Sequence, residues 1–122
     1  EMLAIWEIHD DSLGDNYSTG ISKGLGLPIW SNHIAFSLDN LDSLKNHINR
    51  INSHGIEVTE IDHGWCTSIY INDPNEIMVE FCVTTRAFTE KDKEDALKAI
   101  TSDAIDDNDP PKVTIHPASN GP

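Results

Sequence analysis

The residues of this sequence best suited to chemistry are a histidine and a glutamate on separate alternating segments, His33 in Asn32-His-Ile-Ala-Phe36 and Glu80 in Met78-Val-Glu-Phe81. Side chains alternate across a strand, so in the run 77–83 Ile77, Val79, Phe81 and Val83 share one face and Met78, Glu80 and Cys82 share the other. The first set is a core face. Glu80 then lies on the opposite surface among apolar neighbours, where a dry carboxylate would be costly, so it calls for water, a cation or a proton. The run 32–38 behaves the same way, with Ile34, Phe36 and Leu38 on one side and His33, Ala35 and Ser37 on the other. An imidazole and a carboxylate therefore face one concave surface. That pair is common among first-row metal ligands, and open positions on such a metal admit a substrate oxygen.

The elements that must position them follow from periodicity and breakers. Asp39 or Asn40 caps a helix whose apolar residues Leu41, Leu44, Ile48 and Ile51 recur at helical spacing, and Gly55 closes it. Residues 56–61 return to a strand pattern, Asp62-His-Gly64 turns the chain, 65–71 form a strand, 72–76 turn again, and 77–83 complete the set. The order is β-α-β-β-β. With Asn72 opposite Glu76, the last hairpin places Tyr70 by Met78, Ser68 by Glu80 and Cys66 by Cys82, and the two thiols are expected to be reduced.

On either side of this module the composition changes. Residues 2–8 alternate as a strand should, and breakers from Asp10 to Pro28 make the stretch from His9 to Trp30 a long loop. Trp6 and Trp30 are expected to bury against the sheet or a partner. Thr89 and Asp92 form a capping box before a short helix to about Ile100, whose stripe of Ala96, Leu97 and Ile100 should dock on the sheet or a neighbour. The expected division is 1–31 as a strand and linker loop, 32–83 as the module, 84–102 as a C-terminal helix and 103–122 as an acidic, Pro-containing tail, extended or disordered.

Composition narrows the function. The chain has 122 residues and a net charge of −13 with histidines neutral, and Lys23, Lys45 and Arg50 are the sole Lys or Arg residues among the first 85. Nothing resembles a basic stripe able to displace counterions from a phosphate backbone, so nucleic acid is excluded as a partner, and an anionic membrane with it. No apolar run approaches the roughly 20 residues needed to span a bilayer, and no signal peptide is evident. A cytoplasmic chain acting on a small molecule is expected.

The segments Asn32-His-Ile-Ala-Phe36, His54-Gly-Ile-Glu-Val58 and Ser68 to Phe81 resemble the vicinal oxygen chelate superfamily, which includes glyoxalase I, bleomycin resistance proteins and extradiol dioxygenases. The resemblance implies an α+β fold in which a βαβββ module forms half of an open, mixed-sheet barrel. It implies metal ligands on the first and fourth strands of each module, the positions of His33 and Glu80. Glu7, in Ala4-Ile-Trp-Glu7, falls where glyoxalase-like members carry a further carboxylate from the last strand of a first module. Residues 1–8 resemble that last strand alone, so a truncated chain is expected, with a second copy in a homodimer covering the exposed sheet edge. Where the family's turn reads Asp-Pro-Asp-Gly, this sequence has Asn75-Glu76 at the last two places.

The function so implied is a glyoxalase-like, metal-dependent lyase or isomerase acting on a substrate with vicinal oxygens. His33, Glu80 and Glu7 would be ligands, Glu80 or Glu7 the base, and Tyr70, Ser68 and Trp65 the substrate contacts. Coordination by Glu7 favours Zn²⁺, Ni²⁺, Co²⁺ or Mn²⁺; without it, an Fe²⁺ extradiol-type dioxygenase is the alternative, and a metal-free binding protein of the antibiotic-resistance kind is the third reading.

Overall fold

The computed structural model describes residues 3–14, 16–102 and 110–119. Its central unit runs β1 (His33–Ser37), α1 (Leu41–Ser53), β2 (Val58–Asp62), β3 (Cys66–Asn72) and β4 (Met78–Thr84), the β-α-β-β-β order expected of residues 32–83. After it come α2 (Glu90–Thr101) and β5 (Lys112–His116). The five strands make one mixed sheet in the order β1-β4-β3-β2-β5, with β1 parallel to β4 and the other pairs antiparallel.

Helix α1 starts where the Asn40 side chain accepts from the Ser43 backbone N–H at 2.9 Å, and the chain leaves it through Gly55 at φ 76°. Its stripe of Leu44, Ile48 and Ile51 is buried against Val58, Ile69 and Val83, with Leu38, Ile71 and Phe81 packed at the margin. Fully burying an aliphatic side chain of this size contributes about 1.5–3 kcal/mol. One helix on one sheet face leaves the other face uncovered, and that second face carries His33 and Glu80.

The β3–β4 register differs from the expected one by two residues. Asn72 pairs with Met78, Tyr70 with Glu80, Ser68 with Cys82 and Cys66 with Thr84. The cause is the turn. The Asp73 carboxylate accepts from the backbone N–H groups of Asn75 and Ile77, both at 2.8 Å, and the Asp73 and Ile77 backbones bond at 2.9 Å, which closes a five-residue loop inside the Asn72–Met78 pair. Glu76 takes φ 62°, the left-handed conformation that favours glycine. A shift of two preserves which face each side chain occupies, so Glu80 stays opposite the core while its neighbour changes from Ser68 to Tyr70. Cys66 and Cys82 are diagonal rather than directly opposed, and both are free thiols.

The flanking segments depart further from expectation. Residues 3–8 form no strand and are exposed, because among the described residues no strand lies beside them to take up their backbone groups. Trp6 and Trp30 are 82% and 65% exposed, so neither buries against the sheet. The stretch 9–31 is a loop with two short 3₁₀ turns, Lys23–Leu25 and Ile29–Ser31. It is pinned where buried Ser22 bridges Asn32, accepting from its backbone N–H at 2.8 Å, and where Lys23 pairs with Glu76.

Helix α2 has the expected capping box, and Arg86 grips Asp92 through two N–H groups at 2.9 and 3.0 Å. It buries no residue, and Leu97 and Ile100 stay 67% and 80% exposed, so it does not dock on the sheet. Local caps and ion pairs sustain this helix in place of packing. The tail expected over 103–122 is corrected at 112–116, which add to the sheet as β5 beside β2; residues 103–109 and 120–122 lie outside the described ones. Lys112-Val-Thr-Ile-His116 alternates, placing Val113 and Ile115 on the open face by Ile61 and Thr59. His116 Nε2 meets Glu60 Oε2 at 2.7 Å on the other side. No helix among the described residues is long and apolar enough to cross a membrane.

Candidate functional site

Parallel pairing sets Ala35 of β1 opposite Glu80 of β4, and His33, two residues earlier on the same face, reaches across to the carboxylate. His33 Nε2 and Glu80 Oε2 are 2.9 Å apart. Glu80 is 9% exposed, so it is held by hydrogen bonds in place of water. Its second oxygen, Oε1, accepts from the Tyr70 hydroxyl at 3.2 Å, as the observed register requires.

The donor inventory fixes several protons. His33 Nδ1 lies 3.2 Å from the Trp30 carbonyl oxygen, which can only accept, so Nδ1 carries a hydrogen. Nε2 then faces a carboxylate oxygen, and one proton is shared between them when nothing else occupies the gap. An imidazole with its far nitrogen anchored on a carbonyl has the orientation used by metal-binding histidines. The loop 9–31, through Ser22 and the turn Ile29–Ser31, places that carbonyl.

Tyr70 donates its single hydroxyl proton to Glu80, so its oxygen accepts from His63 Nε2 at 3.1 Å. The Tyr70 hydroxyl is pushed up to about 12, first by burial and then by the adjacent Glu80 charge, and stays protonated through the neutral range. The result is one connected chain: exposed His63, half-buried Tyr70, buried Glu80, exposed His33. The sequence pattern places His63 in the turn Asp62-His-Gly64. Its parity with Thr59 and Ile61 on the open face of β2 is the signal that could have placed it by Tyr70.

A cavity of about 620 Å³ opens beside His33 and Tyr70, walled by Trp30, Ile56, Ile61, Ile71 and Met78. Two expected substrate contacts lie apart from it. Ser68 is fully buried beneath the open face, with its Oγ 4.0 Å from Cys66 Sγ. Trp65 packs its ring on Phe88 at 5.1 Å and lines a separate cavity with His63 and Arg86. Glu7 is exposed, lies 3.4 Å from His9 and lines a third cavity with Trp6 and Tyr17. Burial pushes the Cys66 thiol up to about 11, with the Cys82 thiol adding to the shift.

His33 and Glu80 thus offer one imidazole nitrogen and one carboxylate to a cation. Among the described residues no group of three or more His, Cys, Asp or Glu is arranged to hold a metal. The pair has the donor chemistry for part of a site, and the remaining ligands would have to come from elsewhere.

No curated protein and no solved structure matches the chain. The family model described as Glyoxalase/Bleomycin resistance protein/Dioxygenase superfamily matches residues 6–81, more than half of the chain, and spans β1, α1, β2, β3 and the part of β4 that carries Glu80. With the strand order and the open sheet face already in place, that match makes this chain a member of the Glyoxalase/Bleomycin resistance protein/Dioxygenase superfamily.

Proposed function

We propose that His33 and Glu80 are two ligands of a divalent iron site of the extradiol-dioxygenase type, acting on a small aromatic substrate with two adjacent hydroxyl oxygens. The observation that carries this reading is the local donor set. It has one histidine and one carboxylate in contact, while Glu7, whose coordination would add a second carboxylate, sits against His9 in a different cavity. One further histidine, from a second copy, would complete a two-His, one-carboxylate set with open positions. When bound, the metal would supply a Lewis acid for both substrate oxygens and a place for dioxygen beside them.

The chain's own residues do the rest. The Trp30 carbonyl fixes the His33 ring so that Nε2 points at the site. Tyr70 keeps its proton and holds Glu80 in one orientation. His63, exposed and hydrogen-bonded to Tyr70 Oη, links the site to bulk solvent and can carry a proton to or from it. The apolar walls hold a ring and exclude water.

A glyoxalase-type lyase is the second reading, favoured by the burial of Glu80, which suits a carboxylate that carries a proton between neighbouring carbons. Metal analysis after anaerobic loading with Fe²⁺, on the parent chain and on His33→Ala and Glu80→Ala, tests the ligands. Retention by both variants would end the assignment, and absence of metal from all three would favour a metal-free binding protein. Oxygen uptake with a catechol, set against turnover of a hemithioacetal, separates the two enzymes.

A further inference from the structure

The cavity beside His33 carries an asymmetry of charge that neither the ligand pair nor the hydrogen-bond chain uses. Apart from His33, the one ionisable group on its wall besides Tyr70 is Glu57, and no Lys or Arg lines it. Glu57 is there for a geometric reason. Val58 is fully buried against α1, so its neighbour Glu57 turns to the open face with Thr59 and Ile61. Lys112, on the strand beside β2, sits opposite Asp62 at the far end from Glu57 and lines a separate cavity, and other cations are committed elsewhere. Lys23 pairs with Glu76, Arg86 grips Asp92, and Lys45 and Arg50 ride on α1 across the sheet.

We propose that Glu57 sets the charge selectivity of this cavity, which takes an aromatic substrate bearing an ammonium group in preference to an uncharged one and rejects a carboxylate- or phosphate-bearing one. This rests on the preceding reading in one respect, that the cavity is where substrate sits. A ring lies against Ile61, Ile71 and Met78, and its cationic substituent reaches Glu57 at the rim, where the half-open face of Trp30 adds attraction through its π electrons. A carboxylate in the same place meets Glu57 with no compensating cation. At the mouth of a solvated cavity two unit charges about 4 Å apart change binding by roughly fivefold. The net charge of −13 acts in the same direction but over distances that physiological salt screens within about 8 Å, so the local effect of Glu57 is separable from the general field.

The test uses metal-free protein and three phenyl probes that lack vicinal oxygens, benzylamine, benzyl alcohol and benzoate, so that failure of the metal assignment leaves the outcome intact. Binding is followed in physiological salt through the Trp30 indole N–H resonance, assigned with Trp30→Phe. The expected order is benzylamine, then benzyl alcohol, then benzoate, each step about fivefold. Glu57→Gln should bring the three together and Glu57→Lys should reverse the order, while Glu94→Gln, which removes the same formal charge from α2, should change nothing. Equal binding of all three probes by the parent chain, no binding of any, or an unchanged order in Glu57→Gln would overturn the proposal.

Discussion

The Tyr70 hydroxyl and the Glu80 carboxylate face each other directly across β3 and β4, joined by a 3.2 Å hydrogen bond, and the other oxygen of Glu80 meets His33. One carboxylate therefore serves both His33 and a group that leads to solvent. Tyr70→Phe removes the donor and keeps the ring, so Glu80 loses one hydrogen bond in a buried setting. Stability should fall by about 1 kcal/mol, read from denaturant midpoints. If His33 and Glu80 bind metal, affinity should fall by about 10- to 100-fold, measured by competition with a chelator, since supporting residues tune ligands by that much.

Ile69 is central to the layer between α1 and the sheet and has no exposed surface. Ile69→Ala should cost about 2–5 kcal/mol in chemical denaturation, with the larger values if the cavity cannot collapse. The neighbouring Ser68 and Tyr70 face the other way, so the same experiment on Ser68→Ala separates core loss from disturbance of the open face.

Cys66 is a thiol whose acidity is weakened, moved up to about 11 by burial and then by Cys82. In the window between its ordinary value near 9 and that raised value the folded chain keeps a proton that the unfolded chain has released. Stability therefore falls as pH rises through the window and levels above it. Denaturation measured between these limits should show that decline, and Cys66→Ala should flatten it. At neutral pH iodoacetamide should label half-buried Cys82 before Cys66, with mass spectrometry of peptides as the readout.

Asp92 is held well below the usual carboxylate range by the Arg86 guanidinium first and by Thr89 next. A depressed carboxyl contributes stability that is present above its ordinary value and lost as pH falls toward the depressed one. The loss should be local, because α2 buries nothing. Asp92→Ala should lower helical circular dichroism and raise amide exchange over Glu90–Thr101 while leaving the global unfolding midpoint in place.

Glu76 occupies left-handed backbone at φ 62°. Glu76→Gly should be tolerated, since relief of about 1–2 kcal/mol of backbone strain offsets the lost pair with Lys23. Glu76→Val puts a β-branched side chain into that conformation and should be less stable than Glu76→Gly by more than 1 kcal/mol, roughly. Equal midpoints for the two variants would show that the turn relaxes to another form.

Much of the module was legible because alternation and helical spacing report burial directly. Ile34, Phe36 and Leu38 against Leu44, Ile48 and Ile51 determine which face α1 covers, and His33 and Glu80 follow by exclusion. What eluded the sequence depended on tertiary partners. The β3–β4 register turned on the Asp73 carboxylate bonding two backbone N–H groups, which hydrophobic pattern does not encode. Residues 3–8 and 112–116 both alternate, yet of these only the second finds an edge, that of β2, on which to pair. Acidic and proline-rich surroundings concealed β5, and a turn position concealed His63.

Among the described residues β1 borders the sheet, held by β4 on one side alone, whereas β4 is flanked by β1 and β3. The imidazole and the carboxylate are therefore anchored unequally. When the gap between them widens to admit a guest, the excursion belongs to the imidazole and its short border strand, with the carboxylate standing as the fixed post from which that excursion is measured.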